Sequence, residues 1–172
     1  MEKIIIGRTE AIHFVREEDK SVPAKIDTGA DSSAVWASHI FVDDDNRLHF
    51  CLFAPGSPYY SGKEYIKKNF VVMHVRSSNG QSQIRYAVKL PILLSGRRVL
   101  ATFTLADRSQ NAYPVLVGCR LLKGKFLVDV QRGSQKIATR QVSEELSKLS
   151  KVNPKAFYDL HYKAQAQKGA KT

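Results

Sequence analysis

Negative charge is scarce in this chain of 172 residues: 16 Asp and Glu stand against 27 Lys and Arg, a formal net charge of +11. That deficit bears on partners rather than on fold, because a basic surface draws nucleic acid, anionic membranes or acidic polypeptides. Cysteine is nearly absent as well. Cys51 and Cys119 are the two present and lie far apart, so no disulfide framework is implied and a reducing compartment fits. No apolar run approaches the roughly 20 residues of a membrane span. The start, Met1 to Gly7, has too short an apolar stretch and no small-residue cleavage site for a signal peptide. A soluble, cytoplasmic protein without a membrane role is the expectation.

Several catalytic signatures are missing too. Zinc hydrolysis calls for a His-Glu-x-x-His helix or an equivalent ligand set, and none occurs. His49 and Cys51 share one face of a strand, but two ligands without a third read as core filler. The stretch from Gly118 to Lys125 resembles a phosphate loop with five intervening residues, yet Phe126 stands where the metal-binding hydroxyl belongs. There is no Gly-x-Ser-x-Gly elbow for serine chemistry. Neither a metal nor a cofactor is expected.

What remains is a chain 43% hydrophobic, enough for a core, that reads as all-β. Short apolar runs at 4–6, 12–15, 22–26, 33–37 and 48–53 are separated by turn-forming or charged residues. A hairpin is predicted where 70–75 meets the alternating Ile84, Tyr86, Val88 and Leu90 across Asn79-Gly80, both of which tolerate positive φ. Val99, Ala101, Phe103 and Leu105 then alternate after a turn at Ser95-Gly96, and strands at 113–117 and 126–130 close the body. Many short strands with turns between them argue a closed or sandwiched β body. Beyond it, Val142–Leu149 and Asn153–Gln167 look helical, with Ser143 a cap and Asn153-Pro154 a cap followed by proline at the first helical position. The predicted division is a β domain over 1–132 and a basic, mostly helical extension over 133–172. That extension, counted from Val130, carries nine bases against Glu144, Glu145 and Asp159, a solvated tail by itself.

The informative stretch is Ile26-Asp27-Thr28-Gly29-Ala30-Asp31-Ser32-Ser33. An apolar strand runs into an acid, a small hydroxyl residue and a glycine that lets another backbone come close. Downstream, Val115-Leu116-Val117-Gly118-Cys119-Arg120-Leu121-Leu122 is an apolar strand, a glycine and one amphipathic helical turn. Together, in that order and with a hairpin between, these motifs resemble the retropepsin family of small aspartic proteases. More narrowly the chain is similar to the bacterial, RimB-type retropepsin-like group often labelled "ATP-dependent zinc protease". Lys25 to Ala34, Val75 to Gly80, Leu105 to Arg108 and Tyr113 to Gly118 carry that likeness.

The resemblance implies a closed β-barrel with one short helix after the Gly118 strand. It implies a catalytic Asp27 in an active-site loop with Thr28, Gly29, Ala30 and Asp31, threaded by the strand of Val117 and Gly118. It also implies a flap over Met73–Ser82, with Arg76, Ser77, Ser78, Asn79 and Gly80 at its tip contacting substrate. Members of the group accompany a ligase that adds glutamates to a ribosomal protein, so a polyglutamylated ribosomal protein is an implied substrate. Cys119 departs from the arginine expected after the glycine, which puts a helix-start salt bridge in question.

Aspartic peptidases work with two carboxyls around one water, and this chain has a single Asp-Thr-Gly. Asp31, Asp107 and Asp129 lack the turn that would place a partner. A homodimer bringing Asp27 from two chains onto a two-fold axis is therefore expected. Asp31 is expected to pair with Arg108 or Arg120 and brace the loop. Arg76, with Arg85, Lys89, Arg97 and Arg98, suggests a cationic cleft for acidic peptides, against the alternative of bases facing solvent. Two other readings remain: an inactive peptide-binding or dimerisation module on the same fold, and an RNA- or ribosome-binding β-barrel. Phe70 and Tyr86 make a poor stacking platform, which leaves nucleic acid unfavoured as the primary ligand.

Overall fold

The computed structural model describes residues 2–17, 20–76, 82–133 and 144–160. By contacts the chain divides into two compact units, Met1–Gln135 and Lys136–Thr172. Among the described residues no helix is long and apolar enough to cross a membrane.

The first unit is built on β1 (Ile4–Ile6), β2 (Thr9–Phe14), β3 (Val22–Ile26), β4 (Ser33–Val42), β5 (Leu48–Leu52), β6 (Glu64–Lys67), β7 (Val71–Arg76), β8 (Ser82–Leu94), β9 (Arg97–Ala106), β10 (Val115–Val117), the one-turn α1 (Cys119–Leu122) and β11 (Phe126–Val128). Six strands close on themselves in the order β10-β3-β2-β8-β9-β4, the antiparallel pairing of Val115 with Val35 sealing the ring. The expected all-β, retropepsin-like barrel is thus present. Closure removes the open sheet edges that would otherwise template aggregation. β5 and β6 continue the sheet from the outer half of β4, while β1 and β11 form a separate parallel pair.

Alternation sets which side chains fill the ring. Along β9, Val99, Ala101, Phe103 and Leu105 point inward while Leu100 lies 65% exposed, the period of two that a half-buried strand demands. Phe14 meets Phe103 with centroids 5.7 Å apart and Phe53 at 6.2 Å, tilted and edge-on as ring quadrupoles prefer. The β8–β9 hairpin turns through Ser95 (φ 45°) and Gly96 (φ 78°); two successive positive φ values suit the right-handed twist of the strands. β6 was not anticipated. Its four residues are half charged, and its one deeply buried side chain, Tyr65, donates its hydroxyl to the buried Glu17 at 2.7 Å.

The β7–β8 hairpin pairs Val71–Arg76 with Ser82–Ala87, beyond the part of β8 that lines the barrel. Its tip, including Ser77, Ser78, Asn79 and Gly80, falls outside the described residues. In the second unit, α2 (Glu144–Val152) precedes α3 (Pro154–Tyr158). Asn153 caps α3 by accepting from the Ala156 N–H at 3.0 Å with Pro154 behind it, as its sequence predicts. The expected cap Ser143 and the stretch 161–167 lie outside the described residues.

Candidate active site

Asp27 stands where β3 ends. Its N–H donates to the Val117 carbonyl at 2.9 Å, one more rung of the parallel β3–β10 ladder, and the chain then turns sharply away. The turn is held by Asp27 itself: its carbonyl accepts from Ala30 N–H at 3.3 Å, and its Oδ1 accepts from Gly29 N–H at 3.1 Å. The carboxylate is thereby oriented, with its side chain 27% exposed. Thr28 and Gly29 beside it are exposed.

The strand carrying Gly118 threads this loop. Cys119 N–H donates to Ala30 O at 2.7 Å and Arg120 N–H to Asp31 O at 3.0 Å, while the Cys119 thiol donates to Thr28 O at 2.9 Å. Gly118 N–H donates to the buried Ser33 hydroxyl at 3.0 Å. A Cβ at Gly118 would lie 2.6 Å from Ser32 O and 2.7 Å from Ala30 O, so only glycine lets the two backbones approach this closely. Its φ of −95° is ordinary; proximity, not strain, dictates the residue.

Positive charge surrounds Asp27. Lys25, two residues back on the same face of β3, brings its Nζ to 3.7 Å from Asp27 Oδ2. Arg108, in the loop between β9 and β10, is half-buried and donates Nε to Tyr113 O at 3.1 Å. Burial lowers its pKa and the charge of Arg85 pushes the same way, while Asp27 pulls it back up. Arg85, half-buried on β8, is also lowered by burial. Its Nε and Nη2 donate to Gln83 Oε1 at 3.0 and 2.6 Å.

Asp27, Thr28, Gly29, Ala30, Asp31, Val117 and Gly118 therefore meet, with Arg108 within reach of the Asp27 charge and Arg85 within reach of Arg108. Arg97 stands away from them. Arg97 begins β9, whereas Arg108 follows its end, about 30 Å along the strand. Arg97 instead donates to Lys125 O and Glu2 O at 2.8 and 3.2 Å, tying the β1–β11 pair to the barrel. Arg98 is exposed beside it, Lys89 is exposed on β8, and Arg76 is exposed at the last described position of β7. The expected ion pair from Asp31 to Arg108 or Arg120 is not formed among the described residues; a backbone bond from Arg120 holds Asp31 instead, and Arg108 braces the loop to Tyr113. His49 is no free ligand: Nε2 meets Asp43 and Nδ1 meets Glu64, both at 2.9 Å, and Phe41 stacks on its ring at 4.6 Å. Ser33, Lys25 and the Cys119 thiol stand within the motifs, but the sequence assigned them no contact of their own. A buried serine amid Ser33-Ala34-Val35 was the available signal, as a polar residue inside the barrel needs a partner.

Comparisons with known proteins bear on the family and the fold. The profile of a family described as "RimB-like: Retropepsin-like aspartic endopeptidase RimB" matches residues 5–141. Proteins named "Probable alpha-L-glutamate ligase" from Shewanella pealeana and Shewanella halifaxensis are each 28% identical over 130 residues, 74% of this chain and 28% of theirs. One of the same name from Parasynechococcus marenigrum is 24% identical over 136 residues, 77% of this chain and 29% of its own. The chain thus spans little more than a quarter of the length of these curated relatives. A crystal structure of a Legionella pneumophila protein of unknown function shares the fold, with TM-score 0.54 and 22% identity over 76% of this chain and 96% of that one.

Proposed function

The chain belongs to the RimB-like family of retropepsin-like aspartic endopeptidases, and from that premise we propose that it is a homodimeric aspartic peptidase acting on glutamate-rich chains. The observation that carries this reading is the Asp27 carboxylate, fixed by Gly29 N–H at the end of β3 on a loop that Gly118 threads. One chain supplies one such carboxyl. A second copy, docked across the exposed Thr28-Gly29, supplies the other, and two carboxyls at that distance share a proton because both cannot ionise cheaply. The ionised member draws a proton from the water between them; the protonated one polarises the scissile carbonyl. Apparent pKa values then belong to the pair. The β7–β8 hairpin serves as the flap, closing over substrate to exclude water.

Two features support acidic substrates. The relatives named as glutamate ligases carry a segment like this chain within a longer protein, an arrangement suited to making and trimming the same acidic product. Lys25 also stands 3.7 Å from Asp27, Arg108 lies within reach of its charge with Arg85 within reach of Arg108, and a chain of net charge +11 draws polyanionic peptides from a distance. A glutamate tail on a modified ribosomal protein is the natural form of such a substrate.

Hydrolysis of poly-α-L-glutamate and of casein, by wild type and Asp27→Asn from acid to neutral pH, tests the reading. Polyglutamate cleavage by the wild type and none by the variant is expected. Cleavage of casein alone would keep the peptidase and remove the glutamate preference. A folded, dimeric protein that cleaves neither would leave a peptide-binding module.

A further inference from the structure

Arg108, within reach of the Asp27 charge, and Arg85, within reach of Arg108, are half-buried arginines with no acid to hold. Among the described residues neither Arg85 nor Arg108 makes an ion pair with a carboxylate within 4.0 Å; the polar partners found are Gln83 Oε1 for one and the Tyr113 carbonyl for the other. They converge because of the sheet. β8 runs antiparallel to β9 as far as Ala87 opposite Thr104, which leaves Arg85 two residues past the end of the ladder on one strand and Arg108 four residues past it on the other, near enough for the charge of Arg85 to act on Arg108. Here β8 leaves the barrel for the β7–β8 hairpin, with Met73 across from Arg85 on its other side.

Two guanidiniums that repel one another and have lost part of their water are an unfavourable arrangement in the unliganded chain. Solubility does not require it, since a chain with 27 basic residues has many exposed places for charge. A ligand carboxylate relieves both the repulsion and the missing partners at once. Arginine is the residue for this, because its planar fork holds a carboxylate by two parallel hydrogen bonds. Arg108 is steadied for the task by its Nε bond to Tyr113 O, a bond that does not use the terminal nitrogens of its guanidinium.

We infer that Arg85 and Arg108 form one carboxylate-accepting subsite beside Asp27, reading glutamate or aspartate side chains of the bound peptide next to the scissile bond. The inference rests on the cleft around Asp27 being a peptide site, and its test is binding, which needs no cleavage. Lys25 contributes charge to the same cleft but is engaged with Asp27 itself.

The experiment measures binding of fluorescent hexaglutamate and hexaglutamine to full-length Asp27→Asn protein by anisotropy, at one fixed salt concentration. Arg85→Gln is the principal variant, because the one polar partner found for Arg85 is its neighbour Gln83 and the fold does not rest on it. Lys68→Gln, at the exposed turn between β6 and β7, removes the same charge elsewhere. Hexaglutamate affinity is expected to fall about tenfold or more with Arg85→Gln, the range of a lost hydrogen bond to a charged group, and less than about twofold with Lys68→Gln. Arg108→Gln, checked for folding by thermal melting, should repeat the loss. Equal effects of Arg85→Gln and Lys68→Gln, or hexaglutamine bound as tightly as hexaglutamate, would overturn the subsite. Casein and polyglutamate hydrolysis by the otherwise unaltered chain, followed alongside, separates the two failures. Selective hexaglutamate binding without any hydrolysis removes the peptidase and keeps the subsite, whereas hydrolysis indifferent to Arg85 removes the subsite alone.

Discussion

Gly118 is the residue on which the geometry of the loop depends most directly. A methyl group there meets two carbonyl oxygens at 2.6 and 2.7 Å, both backbone atoms of the loop that holds Asp27. Gly118→Ala is expected to destabilise the fold by about 1–3 kcal/mol or more, as overpacking does, and to displace Asp27; urea denaturation measures it. Gly29 differs, because a Cβ there would lie 3.4 Å from Asp27 Oδ1, ordinary contact, so Gly29→Ala should melt close to wild type. Ser33→Ala would strand the buried Gly118 N–H and cost about 1–3 kcal/mol, read from the same denaturation curves. Gly118 was legible in the sequence because the close approach restricts it to one residue type, and Asp27 and Gly29 because they stand in the Asp-Thr-Gly motif. Ser33 was not, since a serine at a strand start has many uses and only the three-dimensional fold reveals its partner.

At the scale of elements, the hairpins and inward-facing positions followed from alternation and from Ser95-Gly96, whereas β6 escaped because two of its four residues are charged. Pairing likewise decided that Arg97 stands away from Asp27. Arg97 and Arg108 are near in sequence, but ten residues of extended strand carry them to opposite ends of β9. No composition argument reveals that. The junction of β4, β5 and β6 also has a pH dependence of its own. Asp43 first and Glu64 second raise the pKa of His49 above its ordinary 6.5 by hydrogen bonding, with burial opposing them. At Asp43 burial works to raise the pKa, but hydrogen bonds from the Arg47 backbone, His49 and the Arg47 side chain outweigh it and hold Asp43 well below the usual carboxylate range. A group raised on folding stabilises fully below its unfolded pKa and loses that contribution as pH rises through the folded one. The stability difference between wild type and His49→Gln should therefore be largest below about pH 6.5 and shrink above it. Denaturation across pH 5 to 9 measures this, and a difference that grew with pH would contradict the imidazolium.

At the scale of the whole molecule, the barrel closes within one chain, but one chain carries one Asp-Thr-Gly, so the proposed mechanism requires a second copy. That requirement comes from a count of motifs and names no surface that would join the copies. A net charge of +11 also predicts that cleavage of polyglutamate slows as salt rises, with casein affected less. Rates from low to moderate ionic strength check this directly.

The central claim is that Asp27 residues from two chains make one site, and subunit mixing tests it most directly. Wild type and Asp27→Asn, unfolded together in varied ratios and refolded, are assayed for peptide hydrolysis at constant total protein. If only dimers with two Asp27 residues turn over, an equal mixture retains about one quarter of the wild-type rate and the curve is quadratic. A linear fall to about one half would mean that each chain works alone, and a rate indifferent to Asp27→Asn would contradict the account altogether.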